Sequence, residues 1–440
     1  MKKYSADYIL TSAYSSLSLP AFILNGELTV DERTGNILSL ERNRNSIEKK
    51  KNSTAPRFKT IIIPGFINAH THTDLTFKPD NETPRIFSKW VLSLREKRKS
   101  LSLDSKGIIN LRLKAFKEFI ESGTTSIGDI IEPASFYDLR DIAWRTKLVP
   151  RVKGFIELKG LDPSYAVQRT LEFKNFLKNN EALFKETKKY FSLGISPHSI
   201  YSVSENLFKE IKEISGKLRL KTAVHVSEHA SETAFISGKG GDIAENLLPV
   251  FTLSKFSTPS VPFSSPISYL YYLKILDKSV SLIHANEISR KDLDIIKETG
   301  ADIIHCPRSN AFFNSKKLPL KKILEKGISV SLGTDSLFSN KSLNLLDELR
   351  YAKKIHPGVK SKDLFYMATE GGARALSIGG VTGTLKPGSY ADFTVFKIDE
   401  NRILNGDNIY DAVISFKKTD IISVVVGGNI VYNVNGAGGR

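Results

Sequence analysis

The stretch IIIPGFINAHTHTD, Ile61 to Asp74, decides how the rest of the chain is read. A run of β-branched residues passes through Pro64-Gly65 and ends in two histidines one residue apart. In an extended backbone residues i and i+2 share a face, so His70 and His72 at a strand end offer two imidazoles to one point in space. That is half a metal site if other donors reach the same point. Otherwise it is a pair of histidines on an exposed strand face.

Downstream, strand and helix alternate. Strand candidates are IIIPGFINAH, TTSIGDII, VPRVKGFIEL, FSLGISPHSI, LKTAVHVSE, VSLIHANE, ADIIHCPRSN and ISVSLGTDS, eight in all. Helical stretches separate most of them, such as LRLKAFKEFIESG with its terminal glycine and SENLFKEIKEIS with its capping serine. Units in this number and order predict a closed (β/α)8 TIM barrel over residues 61–379. The flanking segments, 1–60 and 380–440, hold short β-like runs instead. Asn25-Gly26 and Thr34-Gly35-Asn36 read as turns between strands, and ISVVVGGNIVYN reads as a hairpin turning at Gly427-Gly428. The two ends are expected to pair into one small β-sandwich domain. The irregular piece Gly238 to Pro266 follows the fifth strand and reads either as a lid or pocket wall or as an inert insertion.

Composition narrows the classes. A 440-residue chain that is 40% hydrophobic can bury a large core, and nowhere do about 18 apolar residues run together. The N-terminus MKKYSADYIL lacks the apolar run of a secretory signal. A single cysteine, Cys306, excludes an internal disulfide and any cysteine-rich zinc site. A cytoplasmic protein without a membrane partner is expected. The net charge of +17 would suit a nucleic-acid partner, but the basic residues are spread along amphipathic helices such as Leu111 to Phe119 and Leu171 to Phe184. The denser cluster ERNRNSIEKKK, Glu41 to Lys51, reads as a solvated loop, and no nucleic-acid partner is expected.

Chemically capable residues gather where barrel enzymes place them, at strand C-terminal ends. His70 and His72 end the first strand, His198 the fourth, His225 and Glu228 the fifth, His284 the sixth and Asp335 the eighth, while His305 lies in the seventh. His356 belongs to a helix or its cap.

The motifs PGFINAHTH, SPHSIYSVSENL, HVSEHASE, LIHANEISRKDL, HCPRSN and SLGTDSLFSN, in this order, resemble the deaminase and chlorohydrolase-like branch of the amidohydrolase superfamily over essentially the whole chain. The resemblance implies one divalent metal ion, zinc first and iron or manganese as alternatives, held by His70, His72, His225 and Asp335. No lysine at the end of strand four offers a bridging carbamate, because Ser196-Pro197-His198 stands there, so a mononuclear site is expected. It further implies that Glu228 shuttles a proton to a ring nitrogen, that Asp335 takes the remaining proton, and that His284 hydrogen-bonds the attacking oxygen.

HCPRSN, GTDSLFSN and the helix FSKWVLSLREKRK are most similar to aminodeoxyfutalosine deaminases of the alternative menaquinone route, whose substrate is an adenosine-like nucleoside carrying a benzoate. Trp90, His198, Arg308, Ser309 and Asn310 are the expected substrate-facing residues, with Arg308 as a carboxylate clamp. Arg95 and Arg98 are further candidates for an acid group. Deamination of adenosylhomocysteine, methylthioadenosine, guanine or cytosine, and triazine-type dechlorination, remain alternatives within the same chemistry, and a non-catalytic scaffold would have shed some of these ligands. A homodimer is expected.

Overall fold

The computed structural model describes residues 1–14, 20–43, 58–133, 149–251, 261–406 and 408–434. Most of the basic cluster at 41–51, and residues 252–260 of the irregular piece after the fifth strand, lie outside them.

Near the N-terminus run β1 (Lys2–Leu10), β2 (Phe22–Val30), β3 (Ile37–Arg42) and β4 (Phe58–Pro64). The barrel strands follow: β5 (Phe66–Thr71), β6 (Thr124–Ile131), β7 (Arg151–Leu158), β8 (Phe191–Pro197), β9 (Lys221–Val226), β10 (Val280–His284), β11 (Asp302–His305) and β12 (Val330–Leu332). The chain ends with β13 (Phe393–Asp399), β14 (Ile421–Val426) and β15 (Asn429–Asn433). Strands β5 to β12 form one parallel sheet in sequence order, and a bridge between Thr71 and Asp335 closes it. All eight strand candidates contribute to that sheet. The remaining seven strands form a second sheet in the order β15-β14-β13-β4-β1-β2-β3, so the two ends of the chain do pair into one β domain.

The stretch that opened the reading serves both sheets. Ile61–Pro64 belongs to β4, antiparallel to β13 and parallel to β1, and the chain crosses into the barrel at Gly65. A Cβ on Gly65 would lie 2.2 Å from Thr125 Oγ1, so only glycine lets the crossing pass beside β6. The fall of the first strand candidate into two pieces is invisible to periodicity, since both halves are buried β-branched runs. Asn25-Gly26 is likewise not a turn between strands but sits inside β2, where Gly26 pairs with both Ala6 and Arg42. Asn25 takes the left-handed φ of 49° within the strand, and a Cβ on Gly26 would collide with Ile9. Gly427-Gly428 is the expected hairpin turn, with both residues at positive φ.

Amphipathic helices cover the barrel. Asp104 caps Ser105–Glu121 by accepting from Gly107 N, and Ser204 caps Glu205–Leu218 by accepting from Leu207 N. The barrel interior holds Ile67, Ala69, Ile130, Phe155, Ala223, Ile283, Ile304 and Cys306, so the space below the strand ends is packed rather than open. Chemistry is therefore confined to the mouth. Among the described residues no helix is long and apolar enough to cross a membrane.

Candidate active site

Four strand ends bring the polar residues together. Donor atoms of His70, His72 and His225 all lie within 4.8 Å of one another. Asp335 Oδ1 lies 3.5 Å from His70 Nε2 and 3.6 Å from His72 Nε2. Its other oxygen is fixed from behind by Ser309 Oγ at 2.7 Å and Ser339 Oγ at 2.6 Å. Ser227, His284, Ala285 and Asp335 hold left-handed φ values of 52°, 72°, 50° and 58°, so the strands leave the sheet through strained turns that aim their last side chains over the barrel axis. Gly333 permits the approach of β12 to β5, since a Cβ there would lie 2.8 Å from His70 Cβ.

This set fits a divalent cation. His70 Nε2 is buried without a hydrogen-bond partner among the described residues, an orphan that an ion would satisfy. His225 Nδ1 donates to the His198 carbonyl at 3.0 Å, which leaves Nε2 with its lone pair toward the cluster. Burial pushes the pKa values of His70, His72 and His225 below the ordinary imidazole range, and neutral imidazole is the ligating form. Burial opposes the charge on Asp335, but the His70 ring close to it, with His72 and His284, holds it well below the usual carboxylate range. Three imidazoles and one carboxylate suit zinc or ferrous iron.

A second group of possible donors, Glu157, His198 and His225, also falls within 4.8 Å. It already contains its cation: Lys159 Nζ stands 2.6 Å from Glu157 Oε2. Burial would raise Glu157, but Lys159 and His198 bring it down to about 2. His198, brought down to about 3 by burial and by Lys159, faces the cavity as a neutral ring whose Nδ1 is 2.6 Å from Ser202 Oγ.

Beside the cluster stands Glu228, its Oε1 3.6 Å from His284 Nε2. Burial, and then the charge of Asp335, pushes its carboxyl well above the usual range, the direction that favours the protonated form. Glu232 supports it from below, accepting from Ser227 N at 3.0 Å and Glu228 N at 2.7 Å.

The cluster opens into a cavity of about 620 Å³ that His72, Trp90, His198, His225, Glu228, His284 and Asp335 help line. Trp90 is buried, donates from Nε1 to the Phe338 carbonyl at 3.3 Å and meets Phe313 edge-on. Basic residues also line the cavity: Arg95, Arg98 paired with Asp74 and Glu132, Lys99 with Glu96, Lys159 with Glu157 and Arg169 with Glu172.

Three expected substrate-facing residues stand elsewhere. Arg308 does not line the cavity: its guanidinium bonds Ser342 Oγ at 2.8 Å and lies 3.7 Å from Asp347 and 3.8 Å from Glu348. The carboxylate clamp expected of Arg308 is therefore not what this geometry provides, because protein acceptors already hold its fork. Ser309 braces Asp335, and Asn310 accepts from His284 Nδ1 at 2.9 Å, so both act behind the cavity wall. His305 lies in the same inner layer, against Asn310 and His356. The sequence reading passed over Glu157, Lys159 and Glu232. Glu157 had a legible signal, since Lys153, Phe155 and Glu157 alternate along VPRVKGFIEL and so place the acid on the inward face at a strand end.

A strand-end cluster of imidazoles and carboxyls over a closed barrel defines a barrel hydrolase. The chain belongs to the amidohydrolase family, whose model matches residues 61–431. It is 27% identical over 409 residues to the 5-methylthioadenosine/S-adenosylhomocysteine deaminase of Pyrococcus abyssi, covering 90% of this chain and 87% of the relative. To the 5'-deoxyadenosine deaminase of Methanococcus aeolicus it is 25% identical, with 93% of each chain covered. Its fold is similar to that of Helicobacter pylori aminofutalosine deaminase bound to methylthio-coformycin, with a TM-score of 0.76, 23% identity and coverage of 98% of this chain and 100% of that one. Escherichia coli guanine deaminase also shares it, with a TM-score of 0.75, 18% identity and coverage of 99% and 100%.

Proposed function

We propose that the protein is a hydrolytic deaminase that releases ammonia from the heterocycle of an adenosine-like nucleoside, with one divalent ion held by His70, His72, His225 and Asp335. The observation that carries the reading is geometric: donor atoms of His70, His72 and His225 lie within 4.8 Å of one another, Asp335 Oδ1 lies 3.5 Å from His70 Nε2, and Glu228 stands beside them with Oε1 3.6 Å from His284 Nε2. Family membership and the adenosine-type activities of the two relatives support it.

A divalent ion held by His70, His72, His225 and Asp335 would supply Lewis acidity. The side chains do the rest. Glu228 delivers its proton to the ring nitrogen next to the amino-bearing carbon, which makes that carbon electrophilic, and recovers a proton from the attacking water. His284 hydrogen-bonds that water. Asp335 accepts the second proton and passes it to the amino group, which departs as ammonia. The new C–O bond replaces the broken C–N bond, and no proton is gained or lost overall.

Trp90 and His198 form the wall against which the heterocycle and its sugar rest. A cavity of about 620 Å³ falls within the range of about 300–1,000 Å³ common for small-molecule sites. Basic side chains outnumber carboxylates among the lining residues, a balance that favours a nucleoside with an acidic extension, and aminodeoxyfutalosine is the finer reading we attach to it. The test is ammonia release by zinc-loaded protein across adenosine, 5'-deoxyadenosine, methylthioadenosine, adenosylhomocysteine, aminodeoxyfutalosine, guanine and cytosine. Turnover of adenine nucleosides above the free bases is expected. Activity on guanine or cytosine alone would overturn the reading.

A further inference from the structure

A hydrogen-bonded chain of buried side chains lies behind His284, and its direction is fixed at one end. Asn286 Nδ2 donates to the backbone carbonyl of Glu228 at 3.2 Å, and a carbonyl can only accept. Asn286 therefore presents Oδ1 to its other neighbour, Asn310 Nδ2, at 2.8 Å. Asn310 is then oriented too, with its amide oxygen toward His284 Nδ1 at 2.9 Å. An amide oxygen cannot donate, so the hydrogen of that bond sits on His284 Nδ1. The second Asn310 hydrogen goes to His305 Nδ1 at 3.2 Å. That nitrogen must be bare, so neutral His305 carries its proton on Nε2 and donates it to His356 Nε2 at 3.3 Å. His284, His305, Asn286 and Asn310 are each no more than 5% exposed, so solvent does not offer alternative partners.

We infer that Asn286 and Asn310 are positioning residues that lock neutral His284 as the Nδ1–H tautomer, so that its Nε2 meets the attacking water as a hydrogen-bond acceptor and not as a donor. His305 is held in the opposite tautomer by the same chain. The device is self-referential in a useful way: the main-chain carbonyl of Glu228 sets the tautomer of the ring that faces the Glu228 side chain. A bare Nε2 orients the water with a hydrogen toward His284 and a lone pair toward the carbon to be attacked. The catalytic consequence rests on the deaminase reading, whereas the tautomers do not.

The direct test is a long-range ¹⁵N–¹H correlation spectrum of the full-length, zinc-loaded protein labelled in its histidine rings. His284 is identified as the signal lost in His284→Gln and His305 as that lost in His305→Gln. His284 is expected with a pyrrole-type Nδ1 and pyridine-type Nε2, and His305 with the reverse. The opposite pattern at His284, or the same tautomer at both rings, would overturn the inference whatever the substrate proves to be. Asn286→Asp replaces the donor facing the Glu228 carbonyl with an acceptor. It is expected to move His284 away from the single Nδ1–H pattern and to lower kcat roughly 10–100-fold with little change in KM. An unaltered tautomer and unaltered kcat in a folded Asn286→Asp protein would also contradict it. Should that variant fail to fold, the wild-type spectrum decides alone.

Discussion

Asp335 faces two ways: Oδ1 lies 3.5 Å from His70 Nε2, while Oδ2 accepts from Ser309 and Ser339. One carboxylate is thus presented to the imidazole cluster with its rotation fixed. In the proposed site, removing His70 takes away one ligand and the ring nearer to Oδ1 of that carboxylate. His70→Ala is expected to reduce bound metal well below one ion per chain, as measured by mass spectrometry of the dialysed protein, and to abolish turnover. Retention of one ion per chain would remove His70 from the ligand set.

Arg308 separates two accounts of the HCPRSN motif. Its guanidinium is held by Ser342, Asp347 and the buried Glu348, so Arg308→Ala leaves Glu348 without its nearby cation. A loss of about 1–3 kcal/mol in denaturant unfolding is expected, with KM for acidic and neutral nucleosides changed to the same small extent. A KM rise confined to acidic substrates would restore the clamp.

His356 gives a pH signature. Burial and the nearby charge of Lys317 bring its pKa down to about 4, below the ordinary imidazole value of 6.5. The unfolded chain thus binds the proton more readily, and stability rises with pH wherever that holds. The His356 contribution is fully present above about pH 6.5 and is lost as pH falls through about 4. Protonation would also place two donors face to face at the His305 contact. Thermal melts from pH 7 to 4 are expected to fall less steeply for His356→Gln than for the wild type, and parallel curves would refute the assignment.

Arg112 is fully buried and donates to both Thr73 Oγ1 and Asp129 Oδ2, while Asp129 also accepts from Thr73 N. This pair clamps the residue directly after His72. Arg112→Met leaves Asp129 in the interior with its Thr73 hydrogen bonds but without its cation, and is expected to cost about 3–5 kcal/mol. A loss under about 1 kcal/mol would mean that the clamp is not what holds the turn.

What the sequence disclosed follows physical lines. The barrel strands carry local apolar signatures, and β5, β8, β9, β10 and β12 run on into a histidine, glutamate or aspartate, so the eight strands and those tips were legible, whereas the tip of β7 at Glu157 was missed. Partner choice was not: nothing in Ile61–Pro64 distinguishes a strand of the small sheet from one of the barrel, and only the crossing at Gly65 divides them. The direction of a long side chain was equally hidden, since Arg308 on a short mouth helix can face the cavity or the neighbouring helix, and Asp347 and Glu348 decide for the latter. Glu232 escaped notice because its role is to hold the backbone of Glu228, a contact that spacing does not announce.

The central claim is that Glu228 carries the proton while the neighbouring cluster holds the ion. Metal content and ammonia release measured on the same preparation of Glu228→Gln test both halves at once. The account requires one ion per chain retained, with turnover reduced about 10²–10⁴-fold. A Glu228→Gln protein that turns over at near wild-type rate with its metal in place would contradict it.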